Sequence, residues 1–599
     1  VIGSFNLLLC DEPSTETTLS ADGLVRSALE AELRGESARR EALLKEACRV
    51  DPHEASARWH AGLVRMGGEW RTVEEAESLT AAERRVRTYR MLRDQCAGTL
   101  ADQIKLAQWC RRNAFEELEK WHWMQVLTQN PMHPQARSRL GVRQCRGLLL
   151  TDEQYAAYQE WRDQVDTAER TWAPRVRAWA RAICNGTAEE CEAAIEEVRD
   201  VADARAIPFL ESTLSPVDDD AALAVIDSLA KMDGQAATDS LVRHAVLAGP
   251  PQARRAAATA LKDRSWYSYV PGLLGNLKSP LEMKYHALTL SNGATYGFTI
   301  EREGPTAFVS QSWAHRSIRQ FTEVYRKQGR TVTAFEMVLP DPQTATRGRS
   351  EMVRLRRLVG ESNATDEALN GLIYEVLEIA TDRQLERRPQ AWWNWWREYN
   401  ELASGHEKPV LSQRLTSYRF QRAGRQTGLV EFRSPPGGQQ PKHRVQTIML
   451  SCFLPGTQVW TNTGMMSIEK IRPGDYVLSQ NVETGEVAYR LVLETMTRPP
   501  SPTLRIGVGD EEIAATLGHP LWVVGKGWQM AKELVEGQHL HGLRGGVPID
   551  YIEQGPEFEA CNLVVADQHT YFVGKHRVLA HDNRARVATK AILPGFCVD

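Results

Sequence analysis

Between Ser27 and about Gly186, apolar residues recur at intervals of three and four among Ala, Leu, Glu and Arg, a spacing that predicts helices. Within this stretch Pro52, Ala57, Arg58 and Gly62 reappear at the same offsets as Pro131, Ala136, Arg137 and Gly141. From Thr187 to about Pro280 the period persists while the composition turns to Ala, Leu, Val and Asp. Ala222, Leu223, Val225, Ile226 and Leu229 mark one apolar face, and Ala256, Ala257, Ala260 and Leu261 mark its successor. The period then changes. Tyr285 to Ser310 alternates, with Asn292-Gly293 placed as a hairpin turn, and helix is expected again from about Asp366 to Thr381. Beyond a Trp-rich stretch at Trp392, Trp393, Trp395 and Trp396, residues 403–446 are rich in Gly, Pro, Gln and Ser and read as a linker. After it come short Val-, Ile- and Thr-rich runs: Thr457–Trp460, Tyr476–Gln480, Val487–Glu494, Leu504–Val508, Ile513–Thr516 and Leu521–Val524. The pattern predicts a multidomain chain, with a solenoid-like α-helical N-terminal region followed by an all-β module. Its parts are an N-terminal segment (1–26), two helical regions (27–186 and 187–280), a β-hairpin insertion with a helical cap (281–402), the linker (403–446), the β module (447–583) and a tail (584–599).

The first helical region is similar to tetratricopeptide-like hairpins, and a plain helical bundle fits it equally well. Residues 187–280 resemble short HEAT-type repeats, whose helix pairs must stack to bury their apolar faces. Such a scaffold implies a protein partner. The tryptophan cluster reads as a plug closing the helical array; the competing reading, a surface stacking sugars or bases, lacks an accompanying basic patch. A net charge of −4 gives no reason to expect nucleic acid or a membrane surface as partner. No apolar run of roughly eighteen residues is present to span a bilayer. The ten cysteines lie scattered with no CxxC pair, which argues against a zinc ribbon or a disulfide framework. Val1–Cys10 reads as a buried first element or as the end of a signal peptide, and in the second case the chain is exported.

Chemistry enters with Ser451-Cys452-Phe453-Leu454-Pro455-Gly456-Thr457. Downstream lie Ser467 to Ser479 around Pro473-Gly474, Thr516-Leu517-Gly518-His519, Asp567-Gln568-His569-Thr570-Tyr571-Phe572-Val573, and His581-Asp582-Asn583. In this order they resemble the Hint domain of inteins, bacterial intein-like proteins and pre-toxin processing modules, over Cys452 to Asn583. The resemblance implies a compact all-β horseshoe that cuts its own chain and needs neither cofactor nor metal. Cys452 would attack the Ser451 carbonyl in an N-to-S acyl shift. His519 would protonate the departing nitrogen, with Thr516 orienting the bond. Asp567 and His569 would assist proton transfer or stabilise the intermediate. His581 would assist cyclisation of Asn583. Members that splice end in His-Asn followed by Cys, Ser or Thr. Here Asp582 separates His581 from Asn583 and Arg584 follows, so full splicing is not expected.

The competing reading is a binding scaffold whose Hint module is inactive. His539 and His541 share a strand face and with His519 suggest metal ligands, but solvent exposure is the expectation for them. Cys110, His122 and His133 are expected to be ordinary core or surface residues. The composition of 403–446 implies that everything up to about Asn400 folds separately from the β module.

Overall fold

The computed structural model describes residues 20–304, 307–326, 330–400, 402–403, 410–422, 425–433, 448–449, 451–584, 586–587 and 589–597. The expectation for Val1–Cys10 lies outside them. The chain divides into two compact units, and the division is not the one its composition suggests. One unit joins 1–152 with 449–599; the other is 153–448. The first helical region is therefore split at Asp152, and its larger part shares a folded unit with the β module. Among the described residues no helix is long and apolar enough to cross a membrane.

In the unit 153–448, the helices Ala188–Arg199, Asp219–Lys231, Gln235–Leu247, Pro251–Ala260 and Trp266–Asn276 follow the predicted period. They enclose one core containing Val225, Leu241, Leu273 and Leu377. Trp392, Trp393 and Trp396 are buried in it, and the Trp393 indole donates to the Leu274 carbonyl at 2.9 Å. The tryptophans thus pack as core. The expected hairpin is present, Glu282–Leu290 against Gly293–Arg302, but it belongs to a six-stranded sheet. That sheet adds Phe308–Arg326, Arg330–Pro340, Val410–Arg422 and Arg425–Arg433. Much of the anticipated linker is consequently strand, because Val410–Arg422 pairs in parallel with Phe308–Arg326, a partner far away in sequence. Residues 404–409, 423–424 and 434–446 of the linker lie outside the described residues. The helix expected from Asp366 begins at Thr344 and runs to Thr381, its first half packing Met352 and Leu355 on the sheet residues Tyr296 and Phe298.

In the other unit, the weak repeat proves to be a structural one. The helix Ser37–Val50, the short helix Ala55–His60 and the hairpin Leu63–Met66/Glu69–Thr72 recur as Glu116–Gln129, Pro134–Arg139 and Arg143–Cys145/Leu148–Leu150. Each copy thus ends in a β-hairpin, which a bare helical hairpin lacks. Cys110 and His122 are buried, and the His133 ring caps the helix Pro134–Arg139 by accepting from the Ala136 N–H. The β module is an eleven-stranded sheet. Two long strands, Val487–Val508 and Gly545–Val565, pair antiparallel with register shifts on either side of Ser501, the local irregularity that lets a long ribbon bend. The predicted strand Tyr476–Gln480 is observed as such, and Ser467 to Asp475 contains the short turn Ile468–Lys470.

Candidate active site

The turn beginning at Cys452 is pinned between two strands. Phe453 exchanges both backbone hydrogen bonds with Cys561, at 2.9 and 2.7 Å, and the Leu454 N–H donates to the Ala514 carbonyl. A one-residue alternation then places Cys452 opposite Asn562. Ser451 and Cys452 are both buried. Every polar atom of the bond between them is engaged from the β module. The Cys452 N–H donates to the Thr516 hydroxyl at 3.0 Å, and the Thr516 N–H donates to the Cys452 carbonyl at 2.9 Å. The Asn562 side-chain amide donates to the Ser451 carbonyl oxygen.

Asn562 is itself held in one orientation. Its side-chain oxygen accepts from the Tyr571 hydroxyl and from the Leu563 N–H, both at 2.7 Å, which leaves the NH₂ group aimed at Ser451. The sequence carried a signal for this residue that pattern reading passed over: a single amide within Ala560–Val565, a run otherwise apolar and wholly buried. Such a group costs free energy unless it is hydrogen-bonded, so its presence marks a purpose.

His519 follows Thr516 by one tight turn, its N–H donating to the Thr516 carbonyl at 3.0 Å. Its ring is fully buried against Phe453, with ring centroids 3.9 Å apart, and neither ring nitrogen has a hydrogen-bond partner among the described residues. Burial, reinforced by His581, pushes its pKa down to about 3, and the Ser451 backbone opposes only part of that shift. The imidazole is therefore neutral near pH 7 and a weak base.

The carboxyl-terminal junction lies on the same strand. The Asn583 N–H donates to the carbonyl of Leu563, the neighbour of Asn562, at 2.9 Å. One strand thus touches both junctions. The Asn583 side-chain amide lies against the Met496 sulfur, and its oxygen is buried without a hydrogen-bond partner among the described residues. His581 is buried beside Trp528; burial lowers its pKa to about 4, and its Nδ1 lies 2.9 Å from the Asp582 carbonyl oxygen. Asp582, passed over as an interruption of His-Asn, organises this end. Its carboxylate accepts from His569 Nδ1 at 3.0 Å and from the N–H groups of Val565 and Arg584 at 2.8 Å. The His569 pKa is raised by that hydrogen bond. Asp567 is not brought to either junction. It is exposed, lies 3.8 Å from Arg490, and adopts a φ of +61° in the turn leading to His569.

Among the described residues no three His, Cys, Asp or Glu side chains stand close enough together to hold a metal ion. His541, expected in solvent, is buried between Glu32 and Gln480, at 3.0 and 2.9 Å, because residues 20–152 cover that part of the module. His539 is exposed.

The pretoxin Hint domain family matches residues 458–583. Similar solved structures include the bacterial intein-like domain from Clostridium thermocellum, at 36% identity over 22% of this chain and 98% of that one, with a TM-score of 0.21. The gp41-1 intein is 24% identical over 22% and 98%, with a TM-score of 0.19. A DnaB intein from Synechocystis sp. PCC 6803 is 17% identical over 22% and 98%, with a TM-score of 0.21. No curated protein matches. The family match begins at Gln458, so the place of Cys452 rests on the geometry above.

Proposed function

The C-terminal region of this chain is a Hint domain, a self-processing module, and from that premise we propose that it cuts the peptide bond before Cys452 by an N-to-S acyl shift. The observation that carries the proposal is the pairing of Asn562 on the Ser451 carbonyl with Thr516 on the Cys452 N–H: a donor where negative charge develops and an acceptor where the leaving amine forms. The Cys452 sulfur bonds to the Ser451 carbonyl carbon, and the oxyanion collapses with loss of the C–N bond. The thiol proton passes through neutral His519 to the departing nitrogen. Burial makes the transient imidazolium a strong acid, suited to giving that proton up. Water then hydrolyses the thioester, leaving a Ser451 carboxylate and a free Cys452 amine and thiol. The second junction is secondary in this reading, since Arg584 offers no acyl acceptor. The HEAT-like helices 187–280 supply the scaffold, their partner being a protein; crosslinks from these helices to a second polypeptide test that part, and none in the native mixture counts against it.

The experiment is a time course of intact chain against a fragment beginning at Cys452, read by intact mass. Cys452→Ala abolishes the cut, because no nucleophile remains to carry the acyl group. Asn562→Ala slows it by about 10²–10³-fold, the usual loss for one oxyanion donor. Asn583→Ala leaves it nearly unchanged. Equal cutting in the parent and Cys452→Ala, or no cutting in either, removes the acyl shift and leaves the module as a binding domain.

A further inference from the structure

The chain is cut, in this reading, at a point that does not separate what it joins. Residues 20–152 lie on the amino side of Ser451 yet are built into the same unit as the Hint domain. Val64, Val73 and Ala76 share a buried cluster with Trp460, Trp522 and Phe572. Leu29 and Leu44 share another with Leu593 and Phe596 of the tail, with Val524 of the β module packed against it, and Tyr89 and Leu118 pack with Leu491.

Charges key the same junction. Glu32 and Arg40, both buried, pair at 2.5 Å; Glu32 also meets His541, and Arg40 donates to the Arg544 carbonyl at 3.1 Å. Burial works to raise the Glu32 pKa, but His541 and Arg40 together hold it at about 2. Asp475 receives Arg93 at 2.9 Å and Arg90 at 3.0 Å. The backbone turn beside it fits closely: a Cβ on Gly474, where φ is +94°, would stand 2.5 Å from the Tyr89 hydroxyl oxygen. Separation would expose the apolar clusters, take His541 from Glu32 and the Arg544 carbonyl from Arg40, and strip Asp475 of both its arginines, a heavy cost for charges built into a core. The scissile bond contributes nothing to this junction, since Thr516 and Asn562, its hydrogen-bond partners, both belong to the Hint domain.

We propose that processing releases no fragment: residues 20–152 and the Hint domain stay together as a non-covalent complex after the cut. The consequence falls on residues 153–448. Their two ends join two segments of one folded unit, so cutting before Cys452 turns a segment tethered at both ends into one tethered only at Asp152. The Hint domain is thereby a latch that frees one end of the intervening unit while keeping its own anchor. This inference rests on the proposed cleavage, and its test is arranged to be independent of it.

A recognition sequence for a site-specific protease is inserted between Gly437 and Gly438 of the full chain carrying Cys452→Ala. The chain is cut with that protease and run on a native sizing column beside a denaturing gel. The expected result is two bands from a single native peak of intact mass; two native peaks overturn the proposal. The same column is run on the self-processed parent. If the parent stays uncut while the protease-cut chain remains whole, retention stands and the acyl shift falls. Arg90→Glu with Arg93→Glu weakens the cut complex by on the order of 10²-fold or more, and adding Asp475→Arg restores part of it, which a mere folding defect would not allow. Equal affinity in parent and double variant overturns Asp475 as a holding contact.

Discussion

The two units are held together by different physics. Residues 153–448 are continuous in sequence, and their helices close around one apolar core, with ion pairs such as Arg243–Glu211 and Lys262–Asp382 in partly exposed positions; a buried pair, Arg302–Asp366, sits where the sheet meets the long helix. The other unit assembles from segments separated by nearly three hundred residues (153–448). Its apolar residues fall into several smaller clusters, and buried charges and histidines fill the joints. In stacked helices each apolar face meets a neighbour close in sequence, so apolar burial suffices. Distant segments have many ways to collapse together, and a buried ion pair tolerates only the arrangement that satisfies it. In both units buried ion pairs stand where elements distant in sequence meet, Glu32–Arg40 with His541 in one and Arg302–Asp366 in the other.

The largest expected effect breaks that joint. Glu32→Ala leaves Arg40 buried without its carboxylate and destabilises the discontinuous unit by about 3–5 kcal/mol. Leu241→Ala, which opens a cavity, destabilises the continuous unit by about 2–5 kcal/mol. Hydrogen exchange resolved by segment reads both. Glu32→Ala accelerates exchange in Ala21–Leu33 and His539–Gly542 and leaves Gln235–Leu247 as it was; Leu241→Ala does the reverse. Spread of either effect across both units would break the comparison.

Acid sharpens the contrast next. His60 and His519 are lowered to about 3, and His122 and His581 to about 4, in each case chiefly by burial, and all four belong to the discontinuous unit. Unfolding returns each to its ordinary value near 6.5, so below that pH the unfolded chain binds protons that the fold refuses. Stability of this unit therefore falls as pH drops from about 6.5 towards 4. His569 runs the other way. Its raised pKa contributes stability below about 6.5 that is lost as pH rises through its folded value, and Asp582→Asn removes that contribution. Denaturant melts at pH 7 and pH 5, followed by segment, are expected to show the discontinuous unit losing more than the continuous one. Equal losses would mean that the buried histidines do not govern it.

The smallest effect is expected to be the same in both units. Thr72 and Thr187 each close a capping box at an exposed helix start. Replacing either by Ala costs about 1 kcal/mol, measured by thermal unfolding. A cap worth much more in one unit would show that caps, too, respond to how the unit is assembled.

Some features were legible without coordinates. Tyr476–Gln480, the helical period of 187–280 and the hairpin at Asn292-Gly293 were readable because each depends on residues within a few positions of one another. The order of Cys452, Thr516, His519, His569 and Asn583 likewise identified the module. Other features required the fold. Strand Val410–Arg422 looked like linker because its stabilising partner is Phe308–Arg326, and no local pattern encodes a partner. His541 looked exposed because Glu32, which covers it, lies in the first helix.

The site divides along the same line. The proposed nucleophile, Cys452, and the Thr516-x-x-His519 motif stand in short stretches of sequence, and the sequence by itself marked them out. Asn562 and Asp582 gained their roles from a strand pairing that sets Asn562 beside Ser451 and from the approach of Asp582 to His569. The composition determined helices first and strands last, because helical period and β-alternation are local. Only the tertiary structure decided that the first helices and the last strands are one body, because apolar burial rewards any close-packed partner, and which partner is close depends on the path of the whole chain.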